Sequence, residues 1–485
     1  MAIDQGTSST KSLIFDGTGT AVAKAAEPLH TTYLENGFVE QDAEEIYQNV
    51  LLSVNKCLQQ FRANTNDIAG IGISNQRETF VVWDKDGKPL HPAIVWQCKR
   101  SVKICEDLKK KGLAENVNEK TGLVIDPYFS ATKLIWLFQN NEKVRTAIQK
   151  GEAYFGTIDT WLLYRLTGGR EYATDYTNAS RTLFFNLHSL QWDRGLIEQF
   201  GVTGINLPQI KCSSSSFGET TLNSQVSHPI PVTALIGDSH AAAFGEGCFD
   251  KGTAKATLGT GCSILMNIGD KPLRSENGMV TTICWSIDGR IDFALEGVIV
   301  SCGATIEWLK NELNLFTDSS ETEAMANAVA DNGNVYLVPA FSGLGSPHWH
   351  MERRASISGI SFGTTKNHIV RAALESIPYQ ITDVITAMEK DAGIKLKELM
   401  VDGGTTSNQF VVQFLSDLLN KNVTTIGFPD VSALGAAYLA GLHVGVYENL
   451  EKLTRLNTEK TIYRPKDGSL IAKSYRGWQK AINEK

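Results

Sequence analysis

The chain has 485 residues, 42% of them hydrophobic and 20% charged, with a net charge of −7. That length exceeds one compact core and points to two large domains or a few smaller ones. The acidic balance without a Lys/Arg stripe argues against nucleic acid as a partner, and no apolar run reaches the roughly 20 residues that would span a bilayer.

Taken in chain order, residues 2–19, AIDQGTSSTKSLIFDGTG, read as a strand, a Gly-Thr bend and a returning strand that ends in a Gly-rich turn. Only Met1, Ala2 and Ile3 precede Asp4, fewer than an internal strand usually has, which leaves the natural start open. The amino terminus lacks the pattern of a secretory leader, and the eight cysteines contain no C-x-x-C pair. A cytoplasmic protein with buried thiols and no membrane insertion is expected. Apolar residues at helical spacing follow in DAEEIYQNVLLSVNKCLQQF, then strand-like runs in DIAGIGISN and TFVVWD. The run Ser213 to Ser216 is expected in a surface loop. VTALIGD reads as a strand that delivers Asp238 to a helix, SHAAAFGEG. KATLGTGCSILMNIGD, GNVYLVPAF and ELMVDGG add strands, and KNHIVRAALESIPYQITDVITAMEK and SNQFVVQFLSDLLN add helices, making an α/β protein.

An internal echo suggests how these elements are arranged. KATLGTGCSILMNIGD repeats the plan of residues 2–19 about 250 residues later, and AGIGISNQRETFVVW and LMVDGGTTSNQFVVQF share a strand opening into a polar bend. Two related lobes with a cleft between them account for this spacing, with a boundary near residues 242 to 250. A chance echo between short Gly-containing hairpins is the competing reading.

Three bends carry backbone N–H groups and hydroxyls suited to phosphate oxygens. They are Gly6 to Thr10 with Lys11, Gly259-Thr260-Gly261, and Gly403-Gly404-Thr405 with Asn408. Each alone is ordinary hairpin chemistry; two in matching positions of the halves suggest a nucleotide clamp. Neither a Walker P-loop nor a Rossmann G-x-G-x-x-G after a strand is present. Asp4 and Asp238 stand beside such bends, where a carboxylate can hold Mg²⁺ through water or take a proton from an attacking hydroxyl. Taken singly, either Asp could equally be a helix cap or turn former.

The segments DQGTSSTK, NQRETFVVWDKDGKPLHPAIVWQCKR, DPYFSATKLIWL, GTIDTWLLYRLTGG, TDYTNASRTLFFN, GTGC, GLGSPHW, DGGTTSN and SALGAAYLAG occur in this order over nearly the full length. In them the chain resembles the FGGY family of carbohydrate kinases, and within it the glycerol kinases. The resemblance implies two ribonuclease-H-like lobes of the actin and hexokinase type, with ATP, Mg²⁺ and a small polyol or sugar in a central cleft. Residues 1–243 would mainly bind the acceptor and 244–485 mainly the nucleotide, and a homodimer or homotetramer is compatible. It implies an acceptor pocket of Arg77, Glu78, Trp96, Tyr128 and Asp238. Those residues suit a ligand that offers only hydroxyls: Arg77 donates, Glu78 accepts, Tyr128 does either and Trp96 covers carbon. Asp238 would be the general base, and Asp4 would orient metal-bound water, so both face the metal. Similarity places Thr7, Ser8, Ser9 and Lys11 at the phosphates, Thr260 and Gly303 farther along, and Gly404 with Asn408 near the adenosine. Lys11 stands where these kinases typically have Arg, and Glu307 where a Gln contacts nucleotide.

Other departures lie at the acceptor. Glycerol kinases typically read Gly-Asp-Gln-Gln where this chain has Gly237-Asp238-Ser239-His240, and Phe where it has Ser263. The expected pocket is larger and more polar there, which suits a four- or five-carbon polyol or ketose such as erythritol, xylulose or ribulose. If neighbours refill the space, glycerol remains the acceptor. His240 either reaches the acceptor or caps a helix. His348-x-His350, where Tyr-Trp-Asp is typical, lacks a third metal ligand. An actin-like ATP-binding switch without kinase activity is the alternative from another class; Arg77, Glu78, Trp96 and Asp238 would have no reason to assemble in it.

Overall fold

The computed structural model describes residues 1–456, 459–466 and 469–484. Two large mixed sheets organise it. The first runs Glu219–Thr220, Ile230–Gly237, Ile71–Asn75, Ala2–Gln5, Ser9–Phe15, Ala21–Pro28. Its last three strands pair antiparallel, while Ala2–Gln5, Ile71–Asn75 and Ile230–Gly237 run parallel. The second runs Val280–Ile287, Arg290–Ile299, Cys262–Gly269, Thr253–Leu258, Glu398–Asp402, Val423–Ile426, Lys460–Tyr463. Here too an antiparallel meander, Thr253–Leu258 to Cys262–Gly269 to Arg290–Ile299, joins two further parallel strands through its first member. In both sheets the strands of the core, numbered along the chain, stand in the order 3-2-1-4-5, the ribonuclease-H arrangement. The echo in the sequence is therefore structural: residues 2–15 and 253–269 are strands 1 and 2 of their sheets, and Ile71–Asn75 matches Glu398–Asp402 as strand 4. Directly after strand 4 the two segments diverge, since FVVW is a strand (Phe80–Trp83) and QFVVQF belongs to the helix Gln409–Leu419.

The other expected elements form where the pattern put them, and the local reasons are visible. The helix Ala43–Gln60 starts at Asp42, whose carboxylate accepts from the Glu44 and Glu45 amides, a cap worth about 1 kcal/mol. Its Ile46, Val50, Val54 and Cys57 recur every three or four residues and are all buried against the first sheet. The helix Lys366–Ala392 ends at Gly393, whose φ of 62° is the left-handed conformation that glycine takes without strain. The serine run departs from expectation. Ser213 and Ser214 are buried, with Ser213 Oγ donating to Asp175 Oδ2 at 2.7 Å and Ser214 Oγ to the Leu439 carbonyl at 3.1 Å. A loop of small hydroxyls here bridges packed elements, because each Ser satisfies a buried polar atom without adding bulk.

The lobes meet through the helices that follow strand 5 of each sheet, Asp238–Gly245 and Val431–His443. Their approach depends on absent side chains: a Cβ on Gly435 would lie 1.8 Å from the Ala241 carbonyl oxygen, and one on Gly72 would lie 2.1 Å from that of Ala436. Small residues at these points bring the carboxyl ends of the parallel strands of both sheets around one cleft, the usual ligand position in such sheets. Among the described residues no helix is long and apolar enough to cross a membrane.

Candidate functional site

Asp4 lies at the end of strand 1 of the first sheet, and Asp238 opens the helix directly after strand 5 of the same sheet, with Ile71–Asn75 between them. Asp4 Oδ1 accepts from the Ser74 hydroxyl. Burial pushes the Asp4 carboxyl up to about 6, the charges of Asp238 and Asp430 add to this, and Ser74 and Lys11 oppose it. Asp238 stays 38% exposed at the cleft; its Oδ1 accepts from the Ser239 amide at 2.6 Å and lies 3.3 Å from Arg77 Nε.

Arg77 and Glu78 occupy the connection between Ile71–Asn75 of the large sheet and Phe80–Trp83 of a smaller five-stranded sheet. The Thr79 amide donates back to the Arg77 carbonyl at 2.7 Å, and Glu78 between them has a φ of 60°. Such a tight turn through a non-glycine residue costs about 1–3 kcal/mol and persists only where its surroundings hold it. Here Ser130 Oγ donates to the Glu78 carbonyl at 2.8 Å and Arg181 Nε to its carboxylate at 2.6 Å. The turn aims Arg77 and Glu78 into the same space. Trp96, just past Ala93–Ile94 of the smaller sheet, packs edge-on to Tyr128 with ring centroids 5.5 Å apart. The Tyr128 loop is held by buried Lys133, which donates to the carbonyls of Pro127 and Tyr128 at 2.9 and 2.7 Å.

Two residues given no role in the sequence reading complete this wall. Glu296, from strand 3 of the second sheet, accepts from Arg77 Nη1 at 2.8 Å and pairs at 2.6 Å with Arg181 Nη1. Arg181 in turn holds Glu78, so two guanidiniums and the carboxylates of Glu78, Glu296 and Asp238 form one network across the lobes. Burial pushes Glu296 up, but Arg181 and Arg77 outweigh it and hold the carboxyl well below its ordinary range. For Glu78, burial prevails over the same two cations and the shift is upward. Each missed residue left a trace in the sequence: Glu296 is a lone charge in the apolar strand FALEGVIV, and Arg181 lies within TDYTNASRTLFFN. Ser263 Oγ donates to Glu296 Oε1 at 3.2 Å and stands 3.4 Å from Ser239 Oγ, so both serines join the wall. His240 lies in the first turn of its helix, fully buried, with neither ring nitrogen hydrogen-bonded.

The three bends expected to hold phosphate lie in different surroundings. Thr7 is drawn toward Trp96, whose Nε1 donates to its hydroxyl at 3.0 Å, while Gln41 Nε2 donates to its carbonyl at 2.8 Å. Ser8 is exposed and Ser9 half-buried in the turn closed by the Gly6 amide on the Ser9 carbonyl. Lys11 Nζ is paired with Asp430 Oδ1 at 2.9 Å, and Lys24 takes the other oxygen at 2.5 Å. From the second lobe, Thr260 is exposed and its carbonyl accepts from the Cys302 and Ala304 amides. Gly303 lies against Gly259, with room for no side chain: a Cβ would meet the Gly259 oxygen at 2.8 Å. Gly404 is exposed in the turn before Asn408, which caps the next helix through the Val411 amide and donates to Thr322 Oγ1. Glu307 is exposed on the neighbouring helix and accepts from Ser319. His348 pairs with Asp383 at 3.1 Å, and among the described residues no group of three or more His, Cys, Asp or Glu side chains is placed to hold a metal.

The N-terminal domain of the FGGY family of carbohydrate kinases matches residues 1–245 and its C-terminal domain residues 254–444. The chain belongs to this family. It is 47% identical over 484 residues to a glycerol kinase of Carboxydothermus hydrogenoformans, covering 99% of this chain and 97% of that protein. With a glycerol kinase of Bacillus anthracis it shares 46% identity, with 99% and 98% covered. A crystal structure of Plasmodium falciparum glycerol kinase with ADP superposes with a TM-score of 0.93 at 37% identity, covering 99% of this chain and 96% of that one. Gluconate and xylulose kinases of Lactobacillus acidophilus, each 22% identical with TM-scores of 0.89 and 0.88, share the fold. The FGGY chain is accordingly an ATP-dependent kinase of the glycerol kinase-like type.

Proposed function

We propose that this enzyme transfers the γ-phosphoryl group of ATP to a terminal hydroxyl of a small polyol, with glycerol and ATP giving glycerol 3-phosphate and ADP as the reference reaction. The observation that carries the reading is the placement of Asp238 at a strand end, one oxygen fixed by Arg77 and by the Ser239 amide, beside the acceptor wall. Residues 1–243 supply most of that wall and residues 244–485 most of the nucleotide bends, together with Glu296. Arg77 donates to acceptor hydroxyls, Glu78 accepts, and Trp96 and Tyr128 enclose the carbon chain. Asp238 takes the proton as the hydroxyl oxygen bonds to the γ-phosphorus and the bond to the departing ADP oxygen breaks. The Asp238 charge adds to the upward push on the Asp4 carboxyl, and the two carboxylates, at strand ends of the same sheet, form a donor pair that fits a divalent cation. Mg²⁺ held there would neutralise charge on the transferred group. Thr260, Gly303, Gly404 and Asn408 border the nucleotide, Glu307 lies beside it, and Ser8, Ser9 and Lys11 approach the phosphates from the other lobe. Thr7 serves the acceptor side through Trp96. Closure of the lobes excludes water that would compete for the γ-phosphate.

The test is acceptor-dependent ADP release by the wild type and by Asp238→Asn. Loss of at least a hundredfold in kcat with the melting temperature preserved is expected; turnover within a few-fold of wild type refutes the assignment.

A further inference from the structure

We infer that Thr177 and Asn178 are positioning residues for the transfer: one buried helical turn, capped by Asp175, fixes both the strand end that carries Asp238 and the strand end that carries Arg77 and Glu78. This rests on the phosphoryl-transfer reading above and names the groups that hold its reacting side chains in register.

The two strand ends are neighbours. Asn75 and Gly237 stand opposite each other as the last residues of the parallel strands Ile71–Asn75 and Ile230–Gly237. Beyond this pair the chain leaves the sheet, from Gly237 directly into Asp238 and from Asn75 through Gln76 into Arg77 and Glu78. Polar groups at the end of the ladder need partners from elsewhere.

The turn Tyr176–Ala179, which follows the strand Ala173–Asp175, supplies them. The Gly237 amide donates to Thr177 Oγ1 at 2.9 Å. Asn178 and Asn75 exchange side-chain hydrogen bonds, Asn75 Nδ2 donating at 2.9 Å and Asn178 Nδ2 at 3.1 Å. Asn75 Nδ2 also donates to the Gln76 carbonyl at 2.9 Å, so the amide pair reaches the residue before Arg77. Adjacent residues of one turn thus hold adjacent strand ends, and Arg181, two residues past that turn, takes the Glu78 carboxylate.

Asp175 gives these bonds their direction. Its carboxylate accepts from the Thr177 and Asn178 amides, from Thr177 Oγ1, from Asn178 Nδ2 and from Ser213 Oγ, all between 2.7 and 3.0 Å. A threonine hydroxyl has one proton; spent on Asp175, it leaves a lone pair to face the Gly237 amide. In the same way one Asn178 side-chain proton goes to Asp175 and the other to Asn75, which leaves its carbonyl oxygen for Asn75 Nδ2. Asp175, Thr177, Asn178 and Asn75 are all 0% exposed, so no solvent competes for these groups. A helix cap needs only the two backbone amides. Of the three further donors, two lead to the strand ends that carry the reacting groups.

The reaction sets the need for such precision, since a displacement of about 1 Å can cost about a hundredfold in rate. Losing the Thr177 hydroxyl frees Gly237 and with it Asp238, which falls on kcat. Losing the Asn178 amide frees Asn75 and with it the Arg77–Glu78 turn, which falls on acceptor KM.

The experiment measures steady-state kinetics of the full chain with ATP, Mg²⁺ and glycerol, alongside thermal melting, for Thr177→Val, Thr177→Ser, Asn178→Ala and Asp238→Asn. Valine keeps the shape of threonine and removes the hydroxyl; serine keeps the hydroxyl. Thr177→Val is expected to lower kcat about tenfold or more with KM for ATP within about twofold of wild type, and Thr177→Ser to restore kcat to within about threefold. Asn178→Ala is expected to raise KM for glycerol about tenfold or more, and by a larger factor than it lowers kcat. A general loss of packing would produce neither this division nor the rescue by serine. A folded Thr177→Val with kcat within about threefold of wild type, or valine and serine variants equally impaired, overturns the inference. If Thr177→Val does not fold, Asn178→Ala decides, and KM for glycerol within about threefold of wild type overturns it. If neither folds, the turn serves the fold alone and the inference fails. Asp238→Asn with turnover within a few-fold of wild type defeats the phosphoryl-transfer reading and this inference with it; an inactive Asp238→Asn beside a fully active Thr177→Val defeats this inference alone.

Discussion

Replacing Glu296 by Gln removes one charge at the point where two guanidiniums of the first lobe meet a carboxylate of the second. The side chains of Glu296, Arg181 and Arg77 are 0%, 1% and 6% exposed, so water cannot compensate. Breaking a buried pair by losing one partner costs about 3–5 kcal/mol. Arg77 retains Asp238 and Arg181 retains Glu78, which sets the expectation at the lower end, about 3 kcal/mol. At about 2–4 °C per kcal/mol for a domain of this size, melting should fall by roughly 6–12 °C. Arg77 also loses its anchor, so KM for the acceptor should rise about tenfold, equivalent to about 1.4 kcal/mol, with a smaller change in kcat. The pH dependence has a defined sign. The folded enzyme holds the Glu296 carboxyl below its unfolded value of about 4.3, so its contribution is complete above that pH and is lost as pH falls toward the lower folded value. Scanning calorimetry at pH 7, 5 and 3.5 should therefore show the gap between wild type and variant narrowing with acid. A variant that melts within about 1 °C of wild type at pH 7 with an unchanged acceptor KM would refute the claim that this carboxylate ties the site together.

Asp4→Asn should separate stability from function. Because burial raises the Asp4 carboxyl to about 6, the unliganded enzyme loses stability as pH rises from about 4 through 6, at most about 3 kcal/mol. Asn is spared that loss, so the variant should melt higher than wild type at pH 8, melt equally below pH 4, and lose at least a hundredfold in kcat; a variant that melts no higher at pH 8 contradicts the burial argument. Asp430→Asn releases Lys11 and Lys24 from their shared carboxylate and should raise KM for ATP several-fold without affecting KM for the acceptor, as steady-state kinetics with each substrate varied will show. Gly435→Ala places a methyl group into the Ala241 carbonyl at the helix contact between the lobes and should cost at least 1–3 kcal/mol, about the range for overpacking, measurable by thermal melting.

Much of the site was legible because its chemistry is local in sequence. Arg77 and Glu78 are adjacent, Asp4 belongs to the same short hairpin as Thr7 and Lys11, and the Gly-Thr bends repeat between halves because each lobe builds the same strand order. What local pattern cannot supply is the partner from the other lobe. Glu296 reads as an oddity in an apolar strand until Arg77 and Arg181 are brought to it from more than a hundred residues away. The same limit explains Lys11, which reads as a phosphate ligand from its hairpin alone but whose pairing with Asp430 depends on the helix after strand 5 of the second sheet. It also explains Ser213 and Ser214, where composition suggests a solvated loop and packing against Asp175 and Leu439 decides otherwise. Local hydroxyls and glycines announce a bend; burial is set by what arrives later.

These cross-lobe contacts bear on how the enzyme can close. Arg77 with Glu296, Ser239 with Ser263, Lys11 with Asp430, and Ser432 Oγ with the Asp238 carbonyl each join one lobe to the other around the cleft. Three of the four involve residues of the proposed acceptor wall or of Asp238 itself. A relative movement of the lobes therefore cannot leave the acceptor wall intact, since Glu296 and Ser263 travel with one sheet while Arg77, Arg181 and Ser239 travel with the other. An acceptor that bridges both sets of groups has differential contacts with the closed arrangement, which is the condition for a ligand to shift such an equilibrium. With the roles proposed for these residues, acceptor fit and the alignment of Asp238 with the transferred phosphoryl group are one event, and a poorly matched acceptor should lose kcat as well as affinity.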